Sequence, residues 1–147
     1  LGLPIHGFVA ATNVNDVVPK YLHTGLYSPK PSIATLSNAM DVGDPSNFPR
    51  LQHFHGNNAE TLHSNVAGYA FTDEETEAGM RELFERAHYV ACPHTAVGYL
   101  GAKRYVQEHA NVSAVTLATA HPSKFNDSVE RILGQPVDVP ERLAALA

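Results

Sequence analysis

Cysteine, tryptophan and long apolar runs are nearly or wholly lacking from this sequence. Cys92 is the single cysteine, and tryptophan is absent. A lone cysteine excludes an internal disulfide framework and is typical of a reducing compartment, which predicts a cytoplasmic protein. No apolar run approaches the roughly 20 residues that a membrane-spanning helix needs, and no signal peptide opens the sequence. These absences argue against a membrane protein and a secreted one.

Charge of either sign is also sparse. Charged residues make up 17% of the 147 residues, the net charge is −5, and no basic run occurs. Binding to nucleic acid or to an anionic membrane surface is therefore not expected. Hydrophobic residues make up 44%, which is typical of a globular chain long enough to bury a core. The composition predicts one globular domain.

Apolar runs and helical periodicities alternate along the chain. Residues 5–11 form a nearly continuous apolar run, which predicts a strand covered on both faces, as in parallel sheets. A capping-box pattern at 72–75 predicts a helix, and a second helix is expected from Cys92 to about Gln107. The apolar run 112–118 predicts a central strand, followed by a helix that Gly134 ends. The fold class is thus α/β, with parallel-type strands flanked by helices.

Polar residues follow the first predicted strand and recur in the segment after it. Asn13 and Asn15 come directly after the first strand, where turn chemistry is the more common role of such amides, although an amide pair facing a ligand is the alternative. Asp44 precedes Pro45 and predicts the start of a helix. Arg50 follows it and either binds a phosphate or carboxylate or pairs with an acidic neighbour.

A second polar stretch follows the predicted strand 112–118. Thr119, His121, Ser123 and Lys124 come where that strand ends. Ligands of open α/β sheets bind at the carboxyl ends of strands, so these side chains are candidates for a site. A structural role for the Thr119 hydroxyl is the more common alternative.

Histidines are frequent enough to raise the question of a metal site. His53, His55 and His63 lie close in sequence, but no carboxylate or cysteine completes a recognisable ligand set. We therefore predict a solvated surface there, and no metal site. His94 and Cys92, at a predicted helix start, are interpreted as a cap and a buried thiol.

Three blocks together carry a resemblance to a known family. They read AATNVND at 10–16, ATLSNAMD at 34–41 followed by Pro45-Ser46-Asn47 and Arg50, and TAHPSKF at 119–125. In order and spacing they resemble the C-terminal part of threonine synthase of the bacterial and fungal type, over nearly the whole chain. Residues 52–70 match that pattern least well.

The resemblance implies an enzyme of the tryptophan-synthase-like fold (fold type II) that uses pyridoxal 5'-phosphate (PLP). Such an enzyme converts O-phosphohomoserine and water into threonine and phosphate, with the cofactor as electron sink. In the family a threonine hydroxyl faces the cofactor's ring nitrogen, and Thr119 is the matching position. The resemblance makes six further residues candidates for substrate or cofactor contacts: Asn13, Asn15, Ser37, Asn38, Arg50 and His121.

The family's remaining anchors are not found in this sequence. The resemblance places the lysine that binds PLP in a Ser-Phe-Lys-Asp block, and the cofactor phosphate in a Gly-Asn-Phe-Gly loop, both upstream of the matching region. We therefore expect residues 1–147 to be a single domain or fragment, the C-terminal part of the PLP-binding large domain. This chain would begin where an upstream helix ends, at Leu1-Gly2-Leu3-Pro4. Its partner would be the N-terminal portion of the same enzyme. No catalytic residue is assigned, and the chain alone is predicted to be inactive.

Two alternatives to threonine synthase remain open at this point. A related PLP phospho-lyase could remove phosphate without making threonine. A stand-alone binding domain that has lost its chemistry would retain the same three blocks.

Overall fold

The computed structural model describes residues 4–145, which form a mixed α/β fold around a parallel pair of strands. The strands are β1 (Phe8–Thr12) and β2 (Val66–Ala70). The helices are α1 (Val17–Thr24), α2 (Phe48–Phe54), α3 (Ala59–His63), α4 (Asp73–Ala87), α5 (Pro93–Glu108), α6 (Asn126–Leu133) and α7 (Glu141–Ala144). Short 3-10 turns occupy Asn38–Met40 and Pro122–Phe125. The expected upstream junction at residues 1–4 lies largely outside the described residues.

Parallel pairing of β1 and β2 sets the centre of the fold. Phe8 pairs with Val66, and the register continues to Thr12 and Ala70. α1 and α5 both pack against this sheet. A side chain at Gly68 would meet the backbone of Pro19 in α1 at 2.8 Å, so glycine permits that close approach. The expected α/β class with a parallel sheet is confirmed.

Two apolar clusters hold the helices in place. One joins α1, α2, α3 and β2 through Tyr21, Leu22, Phe48, Leu62 and Val66. The other joins α4, α5 and α6 through Met80, Ala96, Val129 and Ile132, with Leu36 and Phe125 packed against it. Because the second cluster reaches both the 34–41 segment and the 119–125 segment, it fixes two of the three motif blocks to one scaffold.

The helix α4 begins with the predicted capping box. The Thr72 hydroxyl accepts the Glu75 N–H, and the Glu75 carboxylate accepts the Thr72 N–H at 2.8 Å. Two backbone donors of the first turn are thereby satisfied. The helix spans Asp73–Ala87, as the periodicity predicts.

Replacing Thr72 with alanine is expected to lower the free energy of unfolding by about 1 kcal/mol, because the first turn of α4 then loses its cap. Urea denaturation followed by circular dichroism measures the change. Ser46→Ala, at an exposed position whose hydroxyl has no recorded hydrogen bond, is the matched control. Equal stabilities of the two variants would contradict the role of the cap.

Two element boundaries differ from the predictions. The first strand is Phe8–Thr12, later than the predicted 5–11, and Phe8 is 58% exposed, so it is not covered on both faces. The helix expected from Asp44 begins instead at Phe48. The Asp44 carboxylate accepts a hydrogen bond from the Tyr27 hydroxyl at 2.8 Å, which ties it to the end of α1 in place of capping α2.

The prediction of a central strand at 112–118 is wrong, because these residues form no strand in the described part of the chain. The segment has no regular secondary structure, and no described strand pairs with it. Val115 and Leu117 are 87% and 79% exposed. A strand requires a backbone partner, and residues of this segment and of β1 line a common groove instead of pairing. Apolar patterning favoured a strand here but does not supply that partner.

Candidate functional site

A groove of about 760 Å³ is lined by β1 and by the segment 111–119. α5 contributes His94, Gly98, Ala102 and Tyr105 to its lining, and Met40 also lines it. A side chain at Gly98 would meet the Thr116 methyl group at 3.0 Å, so the glycine allows the segment 111–119 to pack on α5. The volume lies within the range of small-molecule sites.

Thr119 is exposed and lies on the wall of this groove. It comes at the end of the segment 111–119, just before His121 and the 3-10 turn Pro122–Phe125. The hydroxyl is therefore not sealed in an apolar core. Of the sequence-predicted site residues, Thr119 alone belongs to the groove lining found in the described part of the chain.

His121 has a capping role in the same loop. Its Nδ1 accepts the Ser123 N–H at 3.2 Å and lies 2.8 Å from the Ser123 hydroxyl. Its ring borders a smaller hollow, beside Pro122 and Val137, rather than the groove. Its assignment as a substrate contact stays a prediction.

Asn13 and Asn15 form the centre of a buried hydrogen-bond network. The Asn13 amide donates to Thr35 Oγ1 and Asp41 Oδ1, both at 2.8 Å. Its oxygen accepts from the Asn15 backbone and side chain at 3.0 and 2.9 Å. Asn15 in turn bonds both backbone groups of Ile33. These contacts give both amides partners within the fold, and neither residue lines the groove. Their assignment as ligand contacts stays a prediction.

The same network holds Ser37 and Asp41. Ser37 is fully buried with its hydroxyl 3.1 Å from the Asn13 amide. The Asp41 carboxylate accepts the Thr35 hydroxyl at 2.7 Å and the Thr35 N–H at 3.0 Å. The network therefore ties the first motif block to the second and sets the path that brings Met40 to the groove.

Asn38 and Arg50 lie elsewhere on the surface. Asn38 is exposed at the first position of its 3-10 turn, next to the buried Ser37. Arg50 is exposed on α2, and no side-chain ion pair is recorded for it in the described residues. Neither lines the groove. Both assignments as ligand contacts stay predictions.

His94 is a groove residue that the sequence reasoning interpreted only as a cap. It is 6% exposed and lines the floor of the groove. Its Nε2 accepts the Ala39 N–H at 3.0 Å, and its ring centroid lies 4.8 Å from that of Phe125. The ring thus joins α5 to the second and third motif blocks. Its buried surroundings come from residues distant in sequence, so no local pattern identifies it.

Cys92 lies at the N-terminal cap of α5, beside His94. It is 1% exposed, and its sulfur lies 3.3 Å from the Thr95 hydroxyl. Burial raises the pKa of the Cys92 thiol, but hydrogen bonds that the thiolate would accept from His94 and Thr95 lower it to about 7. This buried thiol agrees with the sequence interpretation, and its acidity was not anticipated.

The remaining histidines form no metal centre with their neighbours. His53 and His63 are exposed, and His55 Nδ1 lies 2.9 Å from the Leu51 carbonyl oxygen. Within residues 4–145, no cluster of three or more potential ligands has the geometry to hold a metal ion. Nor does any helix of that range have the length and apolarity to cross a membrane.

Comparison with known proteins identifies the family. Residues 95–147 match the family model for the C-terminal part of threonine synthase. Threonine synthase of Escherichia coli (strain K12) is 47% identical over 150 aligned residues, which include 100% of this chain and 33% of that protein. The chain belongs to the threonine synthase family.

Solved structures of the family agree with the fold. The crystal structure of threonine synthase from Escherichia coli superposes with a TM-score of 0.89 at 46% identity, over 99% of this chain and 33% of that one. The PLP-bound threonine synthase of Brucella melitensis superposes at 0.83 and 29% identity, over 99% and 36%. The fold is thus that of the C-terminal portion of threonine synthases. The chain spans about a third of the length of the relatives that it matches.

Proposed function

We propose that this chain is the C-terminal portion of a PLP-dependent carbon–oxygen lyase acting on phosphates, a threonine synthase. The complete enzyme would convert O-phosphohomoserine and water into threonine and phosphate. The observation that carries the proposal is the exposed Thr119 hydroxyl on a groove wall shared with Met40 and His94. Similarity along the whole chain supports the proposal. One of the threonine synthases that superposes on this chain, that of Brucella melitensis, is PLP-bound.

The groove residues fit an aromatic, hydrogen-bonding cofactor. Its lining offers apolar surface from Val9, Met40 and Gly98, and two exposed hydroxyl-bearing residues, Ser113 and Thr119. It also contains the imidazole ring of His94. A mainly apolar cleft with a few placed polar groups is typical of cofactor sites.

Thr119 would hold the ring nitrogen of PLP, which supplies an electron sink for the reaction when bound. A neutral hydroxyl donates a hydrogen bond to that nitrogen without carrying a negative charge that retains a proton there. The buried Asn13 network fixes the 35–41 segment, which contributes Met40 to the groove lining. The chain would thereby orient the cofactor and control the charge at its ring nitrogen. The lysine of the site would come from another segment of the enzyme.

We assign residues 1–147 to the PLP-binding large domain, where they form its C-terminal part. The partner that completes the site is the N-terminal portion of the same enzyme, which would supply the lysine and the phosphate loop. The two alternatives, a phospho-lyase and a non-catalytic domain, keep the same fold. A cytoplasmic location would suit a biosynthetic enzyme of this kind.

Product analysis tests the proposed function. The full-length protein that carries this chain, supplied with PLP and O-phosphohomoserine, is expected to release threonine and phosphate in equal amounts. The isolated residues 1–147 serve as the control and are expected to release neither. Phosphate accompanied by 2-oxobutanoate would support the phospho-lyase instead, and no phosphate release from the full-length protein would support a binding domain.

A further inference from the structure

We propose that His94 is a positioning residue of the candidate site, which sets the place of Met40 in the groove by accepting the backbone N–H of Ala39. The inference rests on the proposed function, because it concerns the groove that would hold PLP and O-phosphohomoserine. His94 acts through the turn Asn38–Met40 and is given no contact with either molecule. The property that matters is a lone pair on Nε2, which only a neutral imidazole provides there.

The Ala39 N–H finds its acceptor outside the turn. The N–H groups that follow it donate to carbonyl oxygens of the same turn and its cap, Met40 at 2.8 Å and Asp41 at 3.1 Å. Ala39 instead donates to His94 Nε2 at 3.0 Å, across 55 positions of sequence. A backbone N–H can only donate, so Nε2 carries the lone pair and the neutral ring carries its hydrogen on Nδ1.

The middle of the turn lies at the surface of the groove. Ala39 is exposed, and Met40 is half-buried in the groove lining. The buried network anchors the flanking residues Ser37 and Asp41. Between these two anchors, the hydrogen bond to His94 ties the turn to α5. Loss of that bond is therefore expected to move Met40 without unfolding the segment.

His94 is itself held in one orientation. It is 6% exposed, and its ring centroid lies 4.8 Å from that of Phe125. Burial raises the pKa of the Cys92 thiol at the cap of the same helix, but a hydrogen bond with the His94 ring is the largest of the effects that lower it. Because Nε2 serves Ala39, the nitrogen that serves the sulfur is Nδ1. Contacts at both nitrogens thus fix the rotation of the ring and aim the acceptor.

The contact matters for the site because Met40 and Thr119 line the same groove. Ala39 belongs to the second motif block and Phe125 to the third, and the His94 ring contacts both. The ring therefore sets how the two blocks lie relative to each other at the groove. Groups that orient a ligand affect its binding even when they do not touch it.

Two substitutions of similar volume test whether the acceptor is responsible. In His94→Gln the side-chain oxygen takes the place of Nε2 and can accept the Ala39 N–H, whereas His94→Leu has no acceptor. Both variants lose the ring, so its contact with Phe125 is lost equally. In the full-length protein, we expect His94→Leu to weaken PLP binding to the apoenzyme and to raise KM for O-phosphohomoserine, each by about fivefold and with a smaller change in kcat. We expect His94→Gln to recover most of both losses.

The two methionines of this chain provide a readout that does not depend on activity. Met40 reports on the turn, whereas Met80 is fully buried in the cluster that joins α4, α5 and α6. Their methyl resonances are followed in the full-length protein with ¹³C-labelled methionine and assigned with Met40→Leu and Met80→Leu. We expect His94→Leu to shift the Met40 resonance and His94→Gln to keep it near the wild-type position. The Met80 resonance should be the same in both His94 variants.

The hydrogen bond is also measurable without a substitution at His94. In the ¹⁵N-labelled wild-type full-length protein, we expect a scalar coupling between the Ala39 backbone nitrogen and His94 Nε2. The ¹⁵N shift of Nε2 should be that of an unprotonated nitrogen. A protonated Nε2 would refute the proposal, and this measurement remains decisive if His94→Leu does not fold.

The contrary outcomes are distinct. Equal KM, PLP affinity and Met40 shift in His94→Leu and His94→Gln would overturn the positioning role, since the acceptor would then make no difference. A Met40 resonance that keeps its wild-type position in His94→Leu would overturn it as well. If the wild-type full-length protein makes no threonine, yet Met40 moves only in His94→Leu, the proposed function fails and the positioning role is supported. Threonine formation by a protein whose two His94 variants behave alike gives the reverse.

Discussion

Thr119→Asp in the full-length, PLP-loaded protein is expected to lower kcat by at least about tenfold. A carboxylate beside the ring nitrogen would hold a proton there and alter the electron demand of the ring, whereas the hydroxyl of Thr119 does not. The absorbance spectrum of the bound cofactor is expected to change with the rate. Steady-state kinetics and the spectrum are measured on the same samples.

Two variants control for this effect. Thr119→Ser keeps the hydroxyl and is expected to retain most of the activity and the wild-type spectrum. Ala118→Asp adds the same charge at the neighbouring exposed position, which does not line the groove, and is expected to leave both unchanged. Wild-type kinetics and spectrum in Thr119→Asp would remove Thr119 from the cofactor site.

Asn13→Ala is expected to lower the free energy of unfolding by about 3 kcal/mol or more. The amide is fully buried, and its loss removes one hydrogen bond each from Thr35, Asp41 and Asn15 and leaves a cavity in the network. Denaturant unfolding monitored by circular dichroism gives the change. Asn47→Ala, at an exposed helix cap that makes no side-chain hydrogen bond, is expected to change stability by less than about 0.5 kcal/mol.

A charge swap tests whether the contact with Asp41 is responsible. Asn13→Asp places two carboxylates together in the buried network and is expected to destabilise it strongly. Adding Asp41→Asn restores one amide and one carboxylate, so the double variant should recover part of the lost stability. Additive losses would show that the pair does not interact as the 2.8 Å contact indicates.

Local signals in the sequence predicted the elements whose causes are local. The capping box at Thr72 and Glu75 gives the start of α4, because both partners lie within one turn. Gly25 and Gly134 end α1 and α6 in left-handed conformations at φ 73° and 68°, as expected of helix-ending glycines. Each of these features depends on residues a few positions apart.

Features that depend on distant partners were not predictable in the same way. Asn13 and Asp41 are 28 positions apart, so their pairing does not follow from the turn chemistry of either segment. β2 was not predicted, because a five-residue strand containing Gly68 gives little periodicity. Residues 112–118 gave the opposite error, since apolar content alone does not supply a neighbouring strand.

The residues of the candidate site show the same difference between local and long-range causes. Thr119 was assigned from the family resemblance, and the structure places it on a groove wall, which patterning alone left open. His94 has no local signal, because Ala39 and Phe125 give it its environment from 55 positions upstream and 31 downstream. Residues that gain their role through such contacts become visible only once the chain is folded.

The parallel register of β1 and β2 has a consequence for biosynthesis. Phe8 can pair with β2 only after Val66, 58 positions further on, has been synthesised. At ribosomal elongation rates of about 5–20 residues per second, the wait lasts roughly 3–12 s. During that interval the nascent first strand has unpaired amides and apolar side chains, which is the state that chaperones bind. Slowing translation between these two strands should therefore increase this chain's dependence on chaperones.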